Sequence, residues 1–148
     1  MIVKTILAAK GDEVVSIEPA ADLVAAAKLL NTRRIGVLAV IDAEGRLVGI
    51  LSERDIIRVL AESAGAAVQL SVAEVMTRKV STCGVNDSTT NVLKSMTTGK
   101  FRHMPVLDNH RLVGMVSIGD IGKQHMDALL DHVRHLDEFV DQISLMKL

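Results

Sequence analysis

Apolar residues along the chain recur with two different periods, and the order of these periods is repeated. Runs rich in β-branched residues at 14–17 and 80–83 predict two short strands. After the first run, Leu23, Ala26 and Leu30 recur at helical spacing, and the second copy has a similar pattern. Each helix precedes two apolar runs of strand length that enclose a polar turn. These runs are residues 37–41 and 47–51 in the first half and residues 106–107 and 112–116 in the second. A further helix follows in each half, so the pattern predicts the order β-α-β-β-α twice.

One ten-residue segment occurs twice and indicates an internal duplication. Residues 47–56 have the sequence LVGILSERDI and residues 112–121 have LVGMVSIGDI, with six identical positions. The match continues upstream, where Val40 corresponds to Val106, and it covers nearly all of residues 3–121. Because one copy of about 65 residues would bury only a small core, we expect the two copies to share one core. We assign residues 1–65 to the first copy, residues 66–125 to the second and residues 126–148 to a C-terminal helix.

Each copy opens with a short apolar turn, at residues 3–7 and 72–76. In the second turn, the S-x-x-E pattern that begins at Ser71 is that of a helix capping box. The last helix of the first copy is predicted to begin at Ser52. The small residues at 64–67 then predict the linker between the copies.

The last helix is predicted to continue well beyond the repeat. Its apolar positions alternate at spacings of three and four, which is the heptad pattern of paired helices. This seam consists of Met126, Leu129, Val133, Leu136, Val140 and Ile143. Because a free apolar stripe is unfavourable in water and twofold contacts are common, we expect a homodimer through this helix.

The composition narrows the class of protein. The 148 residues are 49% hydrophobic and 24% charged, as in an ordinary globular domain. The net charge is −1 and the basic residues are scattered, which argues against a nucleic-acid partner. No apolar run approaches the roughly 20 residues that cross a bilayer, and no signal-peptide pattern opens the chain. The single cysteine, Cys83, has no disulfide partner in the chain. We therefore expect a cytoplasmic protein without a membrane partner.

The motif G-h-h-S-x-x-D, in which h is apolar, occurs at residues 49–55 and 114–120, each time where a strand passes into a helix. Its serine and aspartate can simply cap the helix. The motif also fits a ligand site, because glycine permits close approach and a helix N-terminus attracts anionic oxygens. An aspartate there can accept hydrogen bonds from two ribose hydroxyls, as in dinucleotide sites. The residues alone leave both interpretations open, although two copies favour the ligand site.

The duplicated order of elements and the two motifs resemble a tandem pair of cystathionine-β-synthase (CBS) domains, also called a Bateman module, over residues 1 to about 125. The resemblance implies an α/β (α+β) fold in which the two repeats pack sheet to sheet as a pseudo-twofold disc. It further implies clefts that bind adenine nucleotides such as AMP, ADP, ATP or NAD as regulatory ligands. A sensor of this kind would act on an unidentified effector protein.

The resemblance also implies which residues bind the ligand. Asp55 and Asp120 would bind the ribose, with Ser52 and Ser117 near the ribose or the phosphate. The adenine would lie against strand residues, which are Ser16, Ile17, Gly36 and Val37 in the first copy and Ser81, Thr82, His103, Met104 and Pro105 in the second. For the phosphate we expect Arg102, His103 and Arg54, because a planar guanidinium suits phosphate oxygens.

The two copies differ near the expected phosphate site. Gly36 and Ala39 in the first copy correspond to Arg102 and Pro105 in the second. We therefore expect unequal sites, of which the second binds an adenine nucleotide more tightly. A dinucleotide such as NAD is a candidate if one ligand bridges both sites.

The sequence gives less support to other chemistry. His132 and His135 share a helix face, but their neighbours are those of an ordinary polar face, so we predict no metal site. The motif serines have no histidine nearby in the sequence, so we predict no catalytic residues and no enzyme. The main alternative is a structural or interaction module without a ligand, in which Asp55 and Asp120 are only helix caps.

Overall fold

The computed structural model describes residues 1–147, and both copies follow the predicted order after a short opening helix. The first copy contains α1 (Val3–Lys10), β1 (Ser16–Ile17), α2 (Leu23–Arg33), β2 (Val37–Ile41), β3 (Leu47–Ser52) and α3 (Glu53–Ser63). A 3-10 helix, Ala64–Gln69, occupies the predicted linker. The second copy contains α4 (Val72–Val75), β4 (Cys83–Gly84), α5 (Thr89–Gly99), β5 (His103–Asp108), β6 (Arg111–Ser117) and α6 (Ile118–Met146).

The strands form two three-stranded sheets with the same topology. Strand β2 lies between β1 and β3 in the first sheet, and β5 lies between β4 and β6 in the second. The first pair in each sheet is parallel and the second is antiparallel. Gly49 lies opposite Val40, as Gly114 lies opposite Val106, so the registers correspond. These matched registers confirm the duplicated β-α-β-β-α pattern.

The first strand of each copy is shorter than predicted. Strand β1 covers only the second half of the predicted residues 14–17. Strand β4 begins at Cys83, where the parallel pairing with Val106 starts, so placing a strand at residues 80–83 was wrong for residues 80–82. Residues 80–82 therefore lie outside the ladder, whereas the Val15 carbonyl before β1 still accepts a hydrogen bond from the Ala39 N–H.

The opening helices are exchanged between the two copies. Helix α1 packs on the second sheet, where its Val3 and Ile6 are fully buried in a core with residues of β5, β6 and α6. Helix α4 packs on the first sheet in the same way, through Val72 and Val75. Matching backbone hydrogen bonds fix the exchange, with Val3 N–H donating to the Asp87 carbonyl and Val72 N–H to the Ala21 carbonyl.

The protein has two main hydrophobic cores, one on each sheet, instead of the single shared core that we expected. Each core is covered by its own two helices and by the opening helix of the other copy. A smaller apolar cluster around Val37, Ala39 and Met115 lies between the two sheets and joins them. The copies are thus packed sheet to sheet, as the resemblance implied, but each half also depends on residues from the other.

Helix α6 extends well past the second core. Its buried residue is Ile121, near its start. The seam residues from Met126 to Ile143 are between 37% and 57% exposed in the single chain. The helix ends at Met146, and Leu148, the last residue assigned to it, lies outside the described residues. Among residues 1–147, no helix combines the length and the apolar character needed to cross a membrane.

Candidate ligand-binding clefts

Two clefts open at the ends of the sheets, and each combines residues from both copies. The cleft that contains Asp55 is called cleft one, and it has a volume of about 470 Å³. The cleft that contains Asp120 is called cleft two, and it has a volume of about 360 Å³. Gly36, Val37 and His103 line both clefts, so the two sites are neighbours.

The candidate site residues combine across the copies. In cleft one, Asp55 of the first copy lies with Ser81 and Arg102 of the second. In cleft two, Asp120 of the second copy lies with Gly36 and Val37 of the first. The resemblance alone implied that these residues group by copy. The exchange of opening helices and the contact between the sheets bring them together crosswise instead.

Ten of the fifteen candidate residues line a cleft. Those in cleft one are Ser52, Arg54, Asp55, Ser81 and Arg102; those in cleft two are Ser117 and Asp120; and those in both are Gly36, Val37 and His103. The other five, Ser16, Ile17, Thr82, Met104 and Pro105, line neither cleft. Met104 lies in the second core, and Pro105 is fully buried where it pairs with Met115 in the middle of its sheet.

Near Ser16 and Thr82, the cleft is lined by the residues that come just before them in the chain. Val14 and Val15 line cleft two, one or two positions before Ser16. Val80 and Ser81 line cleft one, just before Thr82. Ser16 and Ile17 are themselves paired in β1, and Thr82 directly precedes β4, so the residues one or two positions earlier in each copy line the clefts instead. The equivalence of Val14 and Val80 in the repeat is the signal that could have identified this position.

Four basic side chains line cleft one together with Asp55. Besides Arg54 and Arg102, which the sequence analysis identified, Lys79 and Lys100 line the same space. Lys100 lies directly after α5 in the left-handed conformation, with φ 57°. Its counterpart Arg34 has φ 53° after α2 and lines cleft two. A residue with a Cβ rarely adopts this conformation, and both of these basic cap residues line a cleft.

Asp55 has two roles at the start of α3. Its Oδ2 atom accepts hydrogen bonds from the Ser52 backbone N–H at 2.9 Å and from the Ser52 hydroxyl at 3.1 Å. The Ser52 hydroxyl in turn accepts from the Asp55 N–H at 3.2 Å, which completes a capping box. Its Oδ1 atom accepts a hydrogen bond from Nη2 of Arg58, an exposed side chain, at 3.3 Å. Asp55 therefore does cap α3, and this cap uses one of its two carboxylate oxygens, Oδ2.

Asp120 has the same capping box but a different neighbour. Its Oδ2 atom accepts from the Ser117 N–H at 2.9 Å and from the Lys10 ammonium at 2.7 Å. Burial raises the pKa of Asp120, but the hydrogen bonds from Lys10 and Ser117 together with the charge of Lys10 outweigh it. The pKa of Asp120 therefore lies below its ordinary value, and this carboxylate is ionised at neutral pH.

His103 separates the two clefts and is partly buried. Burial lowers the pKa of its imidazole, and the positive charge of Arg102 lowers it further. The carboxylates of Asp120 and Glu53 act in the opposite direction but do not restore the ordinary value. At neutral pH the imidazole is uncharged, so it offers one donor and one acceptor nitrogen to a ligand.

The other polar candidates have structural partners. Nε2 of His125 lies 3.0 Å from the hydroxyl of the buried Thr89. Burial raises the pKa of the Cys83 thiol to about 11, so it stays protonated and packs in the second core. Within residues 1–147, no three His, Cys, Asp or Glu side chains come together as a metal site would require.

The family follows from a comparison of the sequence with known domains. The CBS domain family model matches residues 6–62 and again residues 72–124. This chain belongs to the CBS domain family. The match confirms the resemblance that the two motifs indicated, and the two sheets confirm the fold class.

Relatives of known structure share the whole CBS pair. The CBS-domain containing protein ATU1752 from Agrobacterium tumefaciens is 40% identical with a TM-score of 0.83, and the match covers 84% of this chain and 99% of that one. The CBS domain pair of protein MJ0100, solved in complex with 5′-methylthioadenosine and S-adenosyl-L-methionine, is 29% identical with a TM-score of 0.77. That match covers 86% of this chain and 98% of the other.

Curated relatives vary in length. An uncharacterized 17.7 kDa protein of Acidianus ambivalens is 32% identical over 113 residues, which are 76% of this chain and 67% of the relative. Two longer relatives, one of them named as a sulfurtransferase, share only 32% and 18% of their own length with the chain. What those longer proteins do as a whole therefore does not carry over to a CBS pair alone.

Proposed function

We propose that this chain is a regulatory module that binds an adenine nucleotide in cleft one and signals by a change in conformation. The observation that carries the proposal is the position of Asp55, which shares a cavity of about 470 Å³ with four basic side chains. A cavity of this size accommodates a small-molecule ligand. A carboxylate and several cations in one cavity suit a ribose that is attached to phosphate. The ribose hydroxyls can donate hydrogen bonds to the carboxylate, and the phosphate oxygens can accept them from the basic side chains.

The rest of cleft one suits an adenine base. Val37, Ile50 and Val80 provide aliphatic surface, and Phe101 adds one aromatic ring. Gly36 lies beside the Glu53 and His103 side chains, where a Cβ atom would be 3.3 Å from Oε1 of Glu53. The uncharged imidazole of His103 and the main chain near Gly36 supply hydrogen-bonding groups for the edge of the base.

The related structures support an adenosine-containing ligand, and the charge of cleft one supports a phosphate on it. Both 5′-methylthioadenosine and S-adenosyl-L-methionine, the ligands of the MJ0100 pair, contain adenosine without a phosphate. In this chain, Arg54, Lys79, Lys100 and Arg102 give cleft one more positive than negative side chains. We therefore propose AMP, ADP, ATP or NAD as the ligand.

The basic cleft also revises the expected order of the two sites. From the sequence, the copy that contains Arg102 and His103 is expected to bind more tightly, with Asp120 as its ribose ligand. Arg102 lines the cleft of Asp55 instead. We therefore propose that cleft one is the tighter site.

The alternative function is a structural or interaction module without a ligand. The complete capping boxes favour it, because they give Asp55 and Asp120 a purely structural role. The charge of cleft one favours the sensor, because a capping aspartate does not require four cations around its cleft.

We further propose that the protein is not an enzyme and that it acts through other chains. The hydroxyls of Ser52 and Ser117 accept backbone hydrogen bonds in their capping boxes, which is a structural use of these groups. The exposed seam of α6 supports a homodimer. The module then controls a separate effector protein in the cytoplasm, and we assign it neither a nucleic-acid nor a membrane partner.

Titration calorimetry on protein freed of bound nucleotide tests this function. AMP, ATP, NAD and S-adenosyl-L-methionine are titrated into the wild type and into Asp55→Asn. The asparagine oxygen can still accept the Ser52 N–H, so this variant keeps the cap and loses only the charge. We expect AMP or another phosphate-bearing ligand to bind the wild type, and Asp55→Asn to weaken that binding about tenfold or more.

Asp127→Asn, on the exposed part of α6 and outside both clefts, is the matched control and should bind like the wild type. Binding that is equal in Asp55→Asn and the wild type contradicts the assignment of cleft one. No binding of any of the four ligands favours the interaction module.

A further inference from the structure

The Lys10 side chain is fixed on the aspartate of cleft two. Its ammonium donates to Oδ2 of Asp120 at 2.7 Å and to the Met115 carbonyl at 2.7 Å. Lys10 is the last residue of α1, which is anchored in the second core by the fully buried Val3 and Ile6. Both partners of the ion pair are about a quarter to a third exposed. Because α1 is packed against the second core, it holds the Lys10 ammonium at the Asp120 carboxylate.

Cleft one lacks the equivalent contact, although it has an equivalent lysine. Leu7 covers Gly114 as Met76 covers Gly49, and three positions further along these two segments are Lys10 and Lys79. Lys79 lines cleft one and is exposed. Within the described residues, the ion pair of Asp55 is with Arg58 of its own helix.

The backbone explains the difference. Helix α4 stops at Val75, and Thr77 then pairs with Ile50, whose carbonyl accepts from the Thr77 N–H at 2.8 Å. Helix α1 continues to Lys10, so no backbone N–H reaches the corresponding carbonyl of Met115. The Lys10 ammonium satisfies that carbonyl and Asp120 together. The longer opening helix of the first copy thus places a cation where cleft one has a backbone bridge.

We propose that Lys10 adds to the inequality of the two clefts, because its ammonium competes with the ribose hydroxyls of a ligand for the Oδ2 atom of the Asp120 carboxylate. This inference rests on the proposed function, since it assumes that the motif aspartates bind ribose. A ligand whose ribose takes the Oδ2 atom of Asp120 has to displace Lys10, so we expect cleft one to fill first. The displacement also breaks an ion pair between α1 and the first turn of α6, the helix that carries the exposed seam.

AMP titration of cleft two alone tests the inference. The titration uses the Asp55→Asn variant, in which the affinity of cleft one for AMP is reduced. Asp55→Asn alone is compared with the double variant that also carries Lys10→Met. We expect Lys10→Met to raise the affinity of cleft two for AMP about fivefold or more, because the carboxylate no longer has to be released. Lys4→Met, in the same helix but exposed and outside both clefts, should leave the affinity unchanged. Lys10→Arg keeps the positive charge and should keep the weak binding.

A second measurement follows Lys10 itself. Acetylation of lysines by an amine-reactive ester, resolved by mass spectrometry, should be slower at Lys10 than at Lys4. High AMP concentration should accelerate it at Lys10 only, as the ligand displaces the ammonium. Equal rates with and without AMP, at concentrations where both clefts bind it, contradict the inference.

The outcomes separate the inference from the function on which it rests. If Lys10→Met leaves the affinity of cleft two unchanged or lowers it while cleft one binds AMP, the inference is wrong and the proposed function stands. If no variant and no wild-type protein binds AMP or the other ligands, both are wrong. Lys10→Met leaves the Met115 carbonyl without its donor, so the variant could be less stable. Its thermal unfolding is therefore measured, to verify that it is folded at the temperature of the titration.

Discussion

Met76 lies directly over Gly49, so that a Cβ atom on Gly49 would come within 2.6 Å of its Sδ atom and within 2.9 Å of the Thr77 carbonyl oxygen. Gly114 has the same relation to Leu7, whose Cδ2 atom would be 2.7 Å from such a Cβ. The glycines of the two motifs therefore allow the exchanged opening helices to approach the sheets. Their expected role from the sequence, the close approach of a ligand, is not the one the structure gives them, because neither glycine lines cleft one or cleft two.

We expect Gly49→Ala to destabilise the protein by about 2 kcal/mol, and Gly114→Ala by less. The new methyl group at position 49 meets the backbone of Thr77, which is held by its pairing with Ile50. At position 114 it meets only the end of the Leu7 side chain, which can move. Urea unfolding measures both changes. Gly65→Ala, where no atom lies within 4 Å, is the control, and an equal loss there would contradict the packing argument.

Lys100 is expected to reduce stability while it contributes to ligand binding. Its left-handed backbone is unfavourable for a residue with a Cβ, so Lys100→Gly should stabilise the protein by about 1 kcal/mol. The same variant removes a cation from cleft one and should weaken AMP binding. Lys100→Gln removes the charge but keeps the backbone strain, so it should weaken binding to a similar degree without the gain in stability. Wild-type affinity in both variants would show that Lys100 does not face the phosphate.

The repeated fold was predictable from the sequence because its signals are local. The apolar periods, the polar turns and the motif serines at helix starts are each read from a few neighbouring residues, and the three predicted caps, Ser52, Ser71 and Ser117, are all present. The ends of the first strands were less predictable, since only the pairing of Cys83 with Val106 decides where β4 begins.

The composition of the clefts was not predictable in the same way. Nothing in residues 3–10 indicates that α1 packs on the sheet of the other copy, because its apolar pattern would suit either sheet. That choice places Lys10 on Asp120, and the contact between the sheets places Arg102 beside Asp55. The aspartates were identified because a short motif marks them, whereas Lys79 and Lys100 have no local signal that distinguishes them from solvated lysines.

His103 is expected to make the protein less stable as the pH falls below neutrality. Its pKa is depressed in the folded state by burial and by Arg102, so the unfolded chain takes up a proton first. The stability is therefore complete above the ordinary histidine pKa of about 6.5 and declines as the pH falls through that value toward the folded pKa. Urea unfolding at about pH 7.5 and about pH 5 should show a smaller difference for His103→Asn than for the wild type. His135→Asn on the exposed part of α6 is the control, and a change as large there would contradict the assignment to His103.

The seam of α6 is expected to hold two chains together. Leu136, which is 50% exposed in the single chain, lies in the middle of the apolar stripe. Its replacement by aspartate puts a charge into the centre of a helix pair, so Leu136→Asp should shift the protein from dimer to monomer in sedimentation equilibrium. Asp131→Ser changes the polar face of the same helix and should leave the dimer intact. A wild type that sediments as a monomer at high concentration would exclude the dimer.

The central claim is that cleft one binds an adenine nucleotide through Asp55, and a crystal structure of the protein grown with AMP tests it most directly. The account predicts ligand density in cleft one, with the ribose hydroxyls on the Asp55 carboxylate and the phosphate toward Arg102, Lys79 or Lys100. Cleft two should contain AMP only where the Lys10 ammonium has moved away from Asp120. Density in cleft two alone with the Lys10–Asp120 contact intact, or AMP in cleft one without a contact to Asp55, would contradict the account.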